Sequence, residues 1–552
     1  MGNRGTSIKQ ASALLVALSF VALSSSGVAD DVLEKKQPSI VDQELFFAPV
    51  PKAVCGPGDT PETALQGQVT AAMRAAGFKG FSCNLQLLGQ VKGEGATWQS
   101  AEWREGKGKN KKVCAYHTTA APDANPTLTR TNLGVRVIDI TNPAQPVNTA
   151  YLQTTSMLDP WESLKINERR QLLGAINGAN GGGGPQIDIY DVSGDCRQPQ
   201  LLSSASLSKP DGTPIIGHEG SWAPDGLTYY GADLRFSPAG AVPGNTGQYY
   251  AIDTTDTTKP KFVASWQTGV PGANIHGLSV STDGNRGYMV SLGFGGNAAQ
   301  LVDPNVAATN GLLIFDLSEI QARKADPQVK LISKLLWKDG SGAQHTIPVT
   351  IGKKAYIIFV DEAGSGGFGS AAAYQAACTA GLAPFPMARI IDISDETKPK
   401  VVSKLMLETH DPANCDKVLP DIAGLLTFTY GSHYCSVDNR DQATTLVCGY
   451  FNSGIRVFDI RDPIRPREIA YYNPASTTTP SPGSNHNRAG GWVAGGPDWC
   501  ASSVHLDAEQ GTLWTTCQEQ GMLSFKFTHN AWPFGSSGAF PGSTTPPGKQ
   551  TN

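Results

Sequence analysis

Apolar and polar positions along this chain fall into a recurring phrase, an apolar run closed by one aspartate. It reads Val137-Ile138-Asp139-Ile140, Ile189-Tyr190-Asp191-Val192, Ala251-Ile252-Asp253-Thr254, Ile314-Phe315-Asp316-Leu317, Ile390-Ile391-Asp392-Ile393 and Val457-Phe458-Asp459-Ile460. A polar turn follows, with a proline seven residues past the aspartate at Pro146, Pro260, Pro399 and Pro466, and further on at Pro199 and Pro327. A second apolar run comes after each proline. A worn seventh copy, Leu523-Ser524-Phe525-Lys526-Phe527, has lysine in place of aspartate. Such self-similarity marks an array of small supersecondary units.

Each unit contains four short apolar segments separated by turns. In the third they are His218 to Ala223, Leu227 to Ala232, Gln248 to Asp253 and Lys261 to Trp266, here named strands A to D. The aspartate phrase is strand C. Units begin near Cys83, Pro160, His218, His276, His345, His433 and His505. Seven four-stranded units without intervening helices predict an all-β fold, a seven-bladed β-propeller. A β-solenoid has shorter coils, and a sandwich does not repeat in this way. The predicted organisation is a signal peptide over 1–29, a linker and short helical extension over 30–80, the propeller over 81–529 and a disordered tail over 530–552. Thr60-Pro61-Glu62 opens the helix and Gly77 ends it. The seventh unit lacks a fourth strand, which the apolar stretch Glu44 to Val50 is expected to supply. A short carboxylate at a strand end accepts hydrogen bonds from turn amides. The repeated aspartate is therefore read as structural, since six catalytic copies of one residue make no chemical sense.

The phrase with its turn and proline resembles the LVIVD repeat, a family of bacterial and archaeal exported or surface proteins built as β-propellers. The resemblance covers Phe81 to about Thr528 and implies the fold. Most members have no assigned chemistry, so function is argued from residues.

Composition narrows the partners. The chain of 552 residues carries a net charge of -4 with 17% charged residues. No basic stretch stands out, which argues against nucleic acid. Arg4 and Lys9 precede an apolar run from Ala11 to Leu23 and small residues ending at Ala29. This pattern predicts a cleavable export signal, hence a periplasmic or secreted, monomeric protein with no membrane span in the mature chain. The ten cysteines then suggest disulfides. Repeat alignment predicts Cys83–Cys114, Cys435–Cys448 and Cys500–Cys517, with Cys378–Cys415 as a further pairing and Cys55 and Cys196 unassigned.

Candidate chemistry centres on histidine. Of nine histidines, five open strand A in consecutive units: His218, His276, His345, His433 and His505. Strand A lines the channel of a propeller, so these imidazoles are expected to converge at one mouth. In unit two the equivalent is Glu162, and in unit one Asn84 or a neighbour. The histidines either tie each strand to the next blade or bind a transition metal, copper or zinc, with three adjacent imidazoles leaving an open position. The long B–C insertions (Arg235 to Thr246, Gly293 to Thr309, Ala363 to Pro386) and D–A insertions (His410 to Tyr430, Asn473 to Asp498) stand over the same mouth, where function concentrates. Asp361, Glu362 and Glu519 at strand-B ends are auxiliary candidates. The run Gly178 to Gly184 lacks the Lys-Ser/Thr of a phosphate loop, and no Gly-x-Ser-x-Gly or His-Glu-x-x-His occurs. Two functions follow. One is an exported propeller binding a small molecule, glycan or protein at its long-loop face. The other is a metal-dependent, copper-type oxidoreductase built on the histidine ring. In architecture and histidine use the second is similar to the selenium-binding/methanethiol-oxidase propellers, exported in bacteria and using histidines with copper. No motif aligns, and no residue is carried over.

Overall fold

Each of the six aspartate phrases is the third strand of a four-stranded antiparallel unit, and seven such sheets make a seven-bladed β-propeller. The computed structural model describes residues 48–532 apart from 97, 107–109, 120–129, 179–183, 235–246, 294–301, 304, 368–369, 423–424, 426–427 and 489. The expected signal peptide, residues 44–47 of the apolar stretch, the 235–246 insertion, most of the glycine run and the tail from 533 lie outside the described residues.

Strands A to D are Ser100–Glu105, Lys112–Thr118, Val135–Asp139 and Val147–Leu152 in blade one, and Lys165–Asn167, Leu172–Ile176, Ile187–Asp191 and Gln200–Ala205 in blade two. Blade three has Gly220–Trp222, Thr228–Asp233, Gln248–Asp253 and Lys261–Trp266; blade four has Leu278–Val280, Arg286–Ser291, Asn310–Asp316 and Lys330–Trp337. Blade five has Ser341–Ile351, Lys354–Ala363, Ala388–Asp392 and Lys400–Leu405; blade six has Cys435–Val437, Thr445–Gly449, Ile455–Asp459 and Arg467–Asn473. Blade seven has His505–Asp507, Thr512–Cys517 and Gly521–Phe527.

The fourth strand of blade seven comes from the N-terminal side, as Leu85–Val91, running antiparallel from Leu85↔Phe527 to Val91↔Met522. This corrects the assignment of that role to residues 44–50. Val50 instead donates its N–H to the Met406 carbonyl at 2.9 Å. Phe81–Cys83 adds a fifth strand to blade six, opposite Tyr471 to Asn473. Blade one therefore starts at Ser100 and not near Cys83. The open edge of Gly521–Phe527 would otherwise present unpaired backbone, and the apolar Leu85–Val91 covers it.

The N-terminal extension also differs from expectation. Thr60 bridges Ser82, and the helix is only Ala71–Ala75, capped by Thr70, whose hydroxyl accepts from Met73 N–H at 3.2 Å. Gly77, at φ +73, ends it as predicted. Tertiary bonds override the earlier start. Gln66 Nε2 donates to Glu468 at 2.9 Å, while Glu62 pairs with the buried Arg456.

The repeated aspartates have the structural role. Oδ1 of Asp139, Asp191, Asp253, Asp316, Asp392 and Asp459 each accepts from the backbone N–H two residues on, at 2.8 to 3.2 Å. The core lies between blades: Ile347, Val349 and Ile358 of blade five pack with Leu446, Cys448 and Phe458 of blade six. Five disulfides form: Cys55–Cys83, Cys114–Cys196, Cys378–Cys415, Cys435–Cys448 and Cys500–Cys517. The expected Cys83–Cys114 pair is corrected. Cys83 sits at the edge of blade six, whereas Cys114 on blade one faces Cys196 of blade two, with Cα atoms 5.9 Å apart. Among the described residues no helix is long and apolar enough to cross a membrane.

Candidate metal centre in the channel

Strand register identifies one equivalent position in every blade. In blade four, Asp316 faces Arg286; three residues on, Met289 faces Leu278, and two residues before Leu278 stands His276. The same count gives Trp98 in blade one, His218 in three, Gln344 in five and His433 in six. Continuing the register by one step gives Glu162 in blade two and Ser502 in blade seven. Three of the five predicted histidines and Glu162 are thus true equivalents.

The other two are displaced. An irregularity between Ala343 and His345 sets His345 one residue past the position. It stacks on Tyr434 at 4.8 Å, and its Nε2 accepts from the Cys435 N–H at 3.4 Å. His505 lies three residues past the position, stacks on Trp514 at 4.4 Å and meets Ser100 Oγ at 3.0 Å. Both tie one blade to the next and neither joins the cluster. Convergence of all five imidazoles is therefore corrected to three.

Glu162 is the hub. Its Oε2 lies 3.1 Å from His218 Nε2 and 3.0 Å from His276 Nε2, and its Oε1 lies 3.6 Å from His433 Nε2. Glu362, at the end of strand B of blade five, brings Oε2 to 3.2 Å from His433 Nε2 and Oε1 to 3.7 Å from His276 Nδ1. The Nε2 atoms of His218 and His276 are 2.8 Å apart. Glu162, Glu362, His276 and His433 are buried, and the His218 side chain is 12% exposed. His276 Nδ1 meets the Ala343 carbonyl at 2.8 Å, and His433 Nδ1 the Ala501 carbonyl at 2.7 Å. Each carbonyl belongs to the next blade. An Nδ1–H held this way fixes the ring and turns Nε2 to the centre, the usual support of a metal-ligating histidine.

Without an ion these groups form a knot of opposite charges. Burial by itself would depress His276, but the Glu362 and Glu162 carboxylates outweigh it and hold the imidazole up at about 10. Burial opposes the proton on His433 too, yet hydrogen bonds donated to Glu162 and Glu362 raise it to about 9. Burial wins at His218, which is lowered. Burial pushes Glu162 up, but His218 and His276 hold it well below the usual carboxylate range.

Around the knot, Glu219 lies 3.8 Å from Lys165 Nζ and accepts from the Tyr434 hydroxyl at 3.5 Å. Burial pushes Glu219 up to about 8 against the pull of Lys165. An aromatic wall adjoins: Trp98 is 5.2 Å from His433, Trp161 is 5.5 Å from His218, and Phe428, Phe451 and Trp499 pack behind. Asp361 is not part of the centre. It binds Arg389, Asn310 and Trp337. Glu519 lies with His486 and Asp498 instead.

Two triads, Glu162/His218/His276 and Glu162/Glu362/His433, each offer ligand atoms within 4.8 Å of one another. Ligands about 2.0–2.1 Å from a tetrahedral ion stand about 3.3 Å apart. The separations of 2.8, 3.0 and 3.1 Å in the first triad lie somewhat under that value, and those of 3.2 and 3.6 Å in the second bracket it. The residues fit a transition metal ion. The sequence did single out Glu362. The roles of Trp98, Gln344 and Glu219 had no signal beyond the register.

No family model matches the chain, and no curated protein does. Among solved structures, a candidate 6-phosphogluconolactonase from Bacteroides uniformis aligns at 10% identity and TM-score 0.46, over 76% of this chain and 93% of that one. The β-propeller domain of Cps50 (Swd1) from Myceliophteria thermophila aligns at 8% identity and TM-score 0.42, over 80% and 98%. A protein of unknown function from Desulfotomaculum acetoxidans aligns at 11% identity and TM-score 0.37, over 65% and 81%. At this level of similarity no activity is carried over.

Proposed function

We propose that the chain is an exported, LVIVD-type propeller with a metal-dependent oxidoreductase centre in its channel, acting on a small molecule that enters at the long-loop face. The observation that carries this reading is the meeting of His218 Nε2 and His276 Nε2 on one Glu162 oxygen, at 3.1 and 3.0 Å, from three consecutive blades. Two imidazoles and one carboxylate with open positions are the donor set of non-haem iron(II) oxygenases, and imidazole also suits copper and zinc. Once bound, such an ion supplies a redox-active or Lewis-acidic centre.

The protein's own groups set up the surroundings. The Ala343 and Ala501 carbonyls orient His276 and His433. The His433–Glu362 pair, 3.2 Å apart and 3.6 Å from Glu162 Oε1 through His433 Nε2, can hold a proton beside the triad. Glu219, pushed up to about 8 by burial, can exchange a proton at the channel lining. Trp98, Trp161 and Phe428 exclude water from one side. Five disulfides support an oxidising compartment.

The test is metal analysis of the full chain purified without chelator from periplasm or medium, followed by oxygen-uptake screening of the metal-loaded protein. One equivalent of a transition ion that disappears in His276→Gln, with circular dichroism unchanged, is the expected result. Equal metal content in wild type and variant overturns it. A second reading rests on the closed knot itself: Glu162 already satisfies His218 and His276 without an ion, so the mouth can serve as a plain binding face. Ligand binding that survives both chelation and His276→Gln favours that reading.

A further inference from the structure

A second cluster lies outside the channel centre. His486, on the short helix Asn485–Arg488 of the D–A insertion between blades six and seven, is fully buried. Its Nδ1 stands 3.8 Å from Asp498 Oδ1 and 3.7 Å from Glu519 Oε1, and both carboxylates are buried. The three ligand atoms lie within 4.8 Å of one another. By distance and angle neither ring nitrogen of His486 makes a hydrogen bond, although Glu519 and the Gly491 backbone lie close enough to act on the ring. A buried polar atom left without a partner is costly, and the few that persist mark a function or an absent ligand.

The carboxylates are held in place. Asp498 accepts from the Glu519 N–H at 3.0 Å and the Gln520 N–H at 2.8 Å. Glu519 accepts from the Ser484 hydroxyl and the Ser481 N–H. Such bonds leave lone pairs free and fix the donors, as the outer shell of a metal site does. Arg130 acts on both carboxylates electrostatically, while its Nη2 donates to the Gly95 carbonyl at 2.9 Å and to Gln518 Oε1 at 3.3 Å.

We propose that His486, Asp498 and Glu519 form a second metal site, for a divalent ion of the zinc or manganese class. One imidazole with two carboxylates suits these ions, whereas calcium and magnesium prefer oxygen donors alone. Donor separations of 3.7 and 3.8 Å leave room for an ion between ligands about 2.0–2.2 Å away. An ion here clips the long insertion, through His486, to the B–C turn of blade seven, through Glu519. The proposal is independent of the channel centre.

The test uses the full chain carrying His218→Gln, His276→Gln and His433→Gln, so that both channel triads are broken, stripped with chelator and titrated with zinc chloride by calorimetry. One equivalent is expected to bind, and none after addition of His486→Gln. Glu519→Gln, nearly isosteric, is the second variant should His486→Gln fail to fold, and it too abolishes binding. Because Trp499 stacks on His486 at 4.6 Å, the zinc step is also expected as a change in tryptophan emission. No binding to the channel-emptied protein, or binding unaffected by Glu519→Gln, overturns the proposal. A wild type that binds a single equivalent, lost with His486→Gln but not with His276→Gln, supports this site and refutes the channel one instead.

Discussion

Glu162→Gln separates the hub from its surroundings. The substitution keeps volume and hydrogen-bonding capacity and removes one negative charge. That charge faces three imidazoles, at 3.0, 3.1 and 3.6 Å, on a side chain only 3% exposed. Removing one partner of a buried charged group costs about 3–5 kcal/mol, because the other charges stay behind unpaired. A control is Glu396→Gln, whose partner Arg286 lies 2.8 Å away but with both side chains about a third exposed. Exposed pairs are worth about 0–1 kcal/mol. Urea unfolding of chelator-treated protein should therefore show a loss of about 3–5 kcal/mol for Glu162→Gln and under about 1 kcal/mol for Glu396→Gln. In competition titrations the same variant should weaken zinc at the channel by more than the about 100-fold typical of outer-shell changes. Unchanged metal-free stability together with wild-type zinc affinity at the channel would refute the hub assignment.

His345→Ala and His505→Ala should leave metal content at the wild-type level while lowering the melting temperature, because the two rings tie blades through Tyr434 and Ser100; loss of metal in either would restore the five-histidine ring. Removing Cys114–Cys196 by paired serines should cost about 4.5 kcal/mol, and removing Cys435–Cys448 about 2.9 kcal/mol, in the chain-entropy treatment of disulfides. Their sequence separations of 82 and 13 set that order, which urea unfolding under non-reducing conditions can check. Acid should destabilise the fold through His117, His410 and His505, each lowered to about 3, by burial first. Their folded values lie below the unfolded value of about 6.5. The unfolded chain therefore binds more protons between pH 6.5 and 3, and stability falls through that window by about 1.4 kcal/mol per pH unit per group. A flat midpoint from pH 6 to pH 4 contradicts this.

The propeller was legible because strand C repeats an apolar run ending in an aspartate with a fixed local task, satisfying the turn two residues on. Glu162 and Glu362 were legible for a related reason: one replaces histidine at a repeat position and the other ends a strand that points at the mouth. What failed was phase. A single irregularity before His345 and a three-residue offset at His505 still leave a histidine near the start of strand A in each of those blades, yet the first shift alone carries a side chain off the channel face, since strand neighbours alternate sides. Closure failed for a different reason. The apolar pattern of residues 44–50 and of Leu85–Val91 is equally strand-like, and only the partner edge at Gly521–Phe527 distinguishes them. Cys83 was then mispaired because its strand belongs to blade six and not to blade one.

The closing strand sets a timetable for synthesis. Gln90 bonds Gln520 across 430 residues of chain. At about 5–20 residues per second, the strand that seals blade seven waits about 20–90 s for its partner to be made. Blades two to six, which carry His218, His276, His433, Glu162 and Glu362, are complete in sequence before that partner emerges. The ring can shut only after Gly521–Phe527 of the last blade has been translated, so Leu85–Val91 stays without its native partner strand over that whole interval.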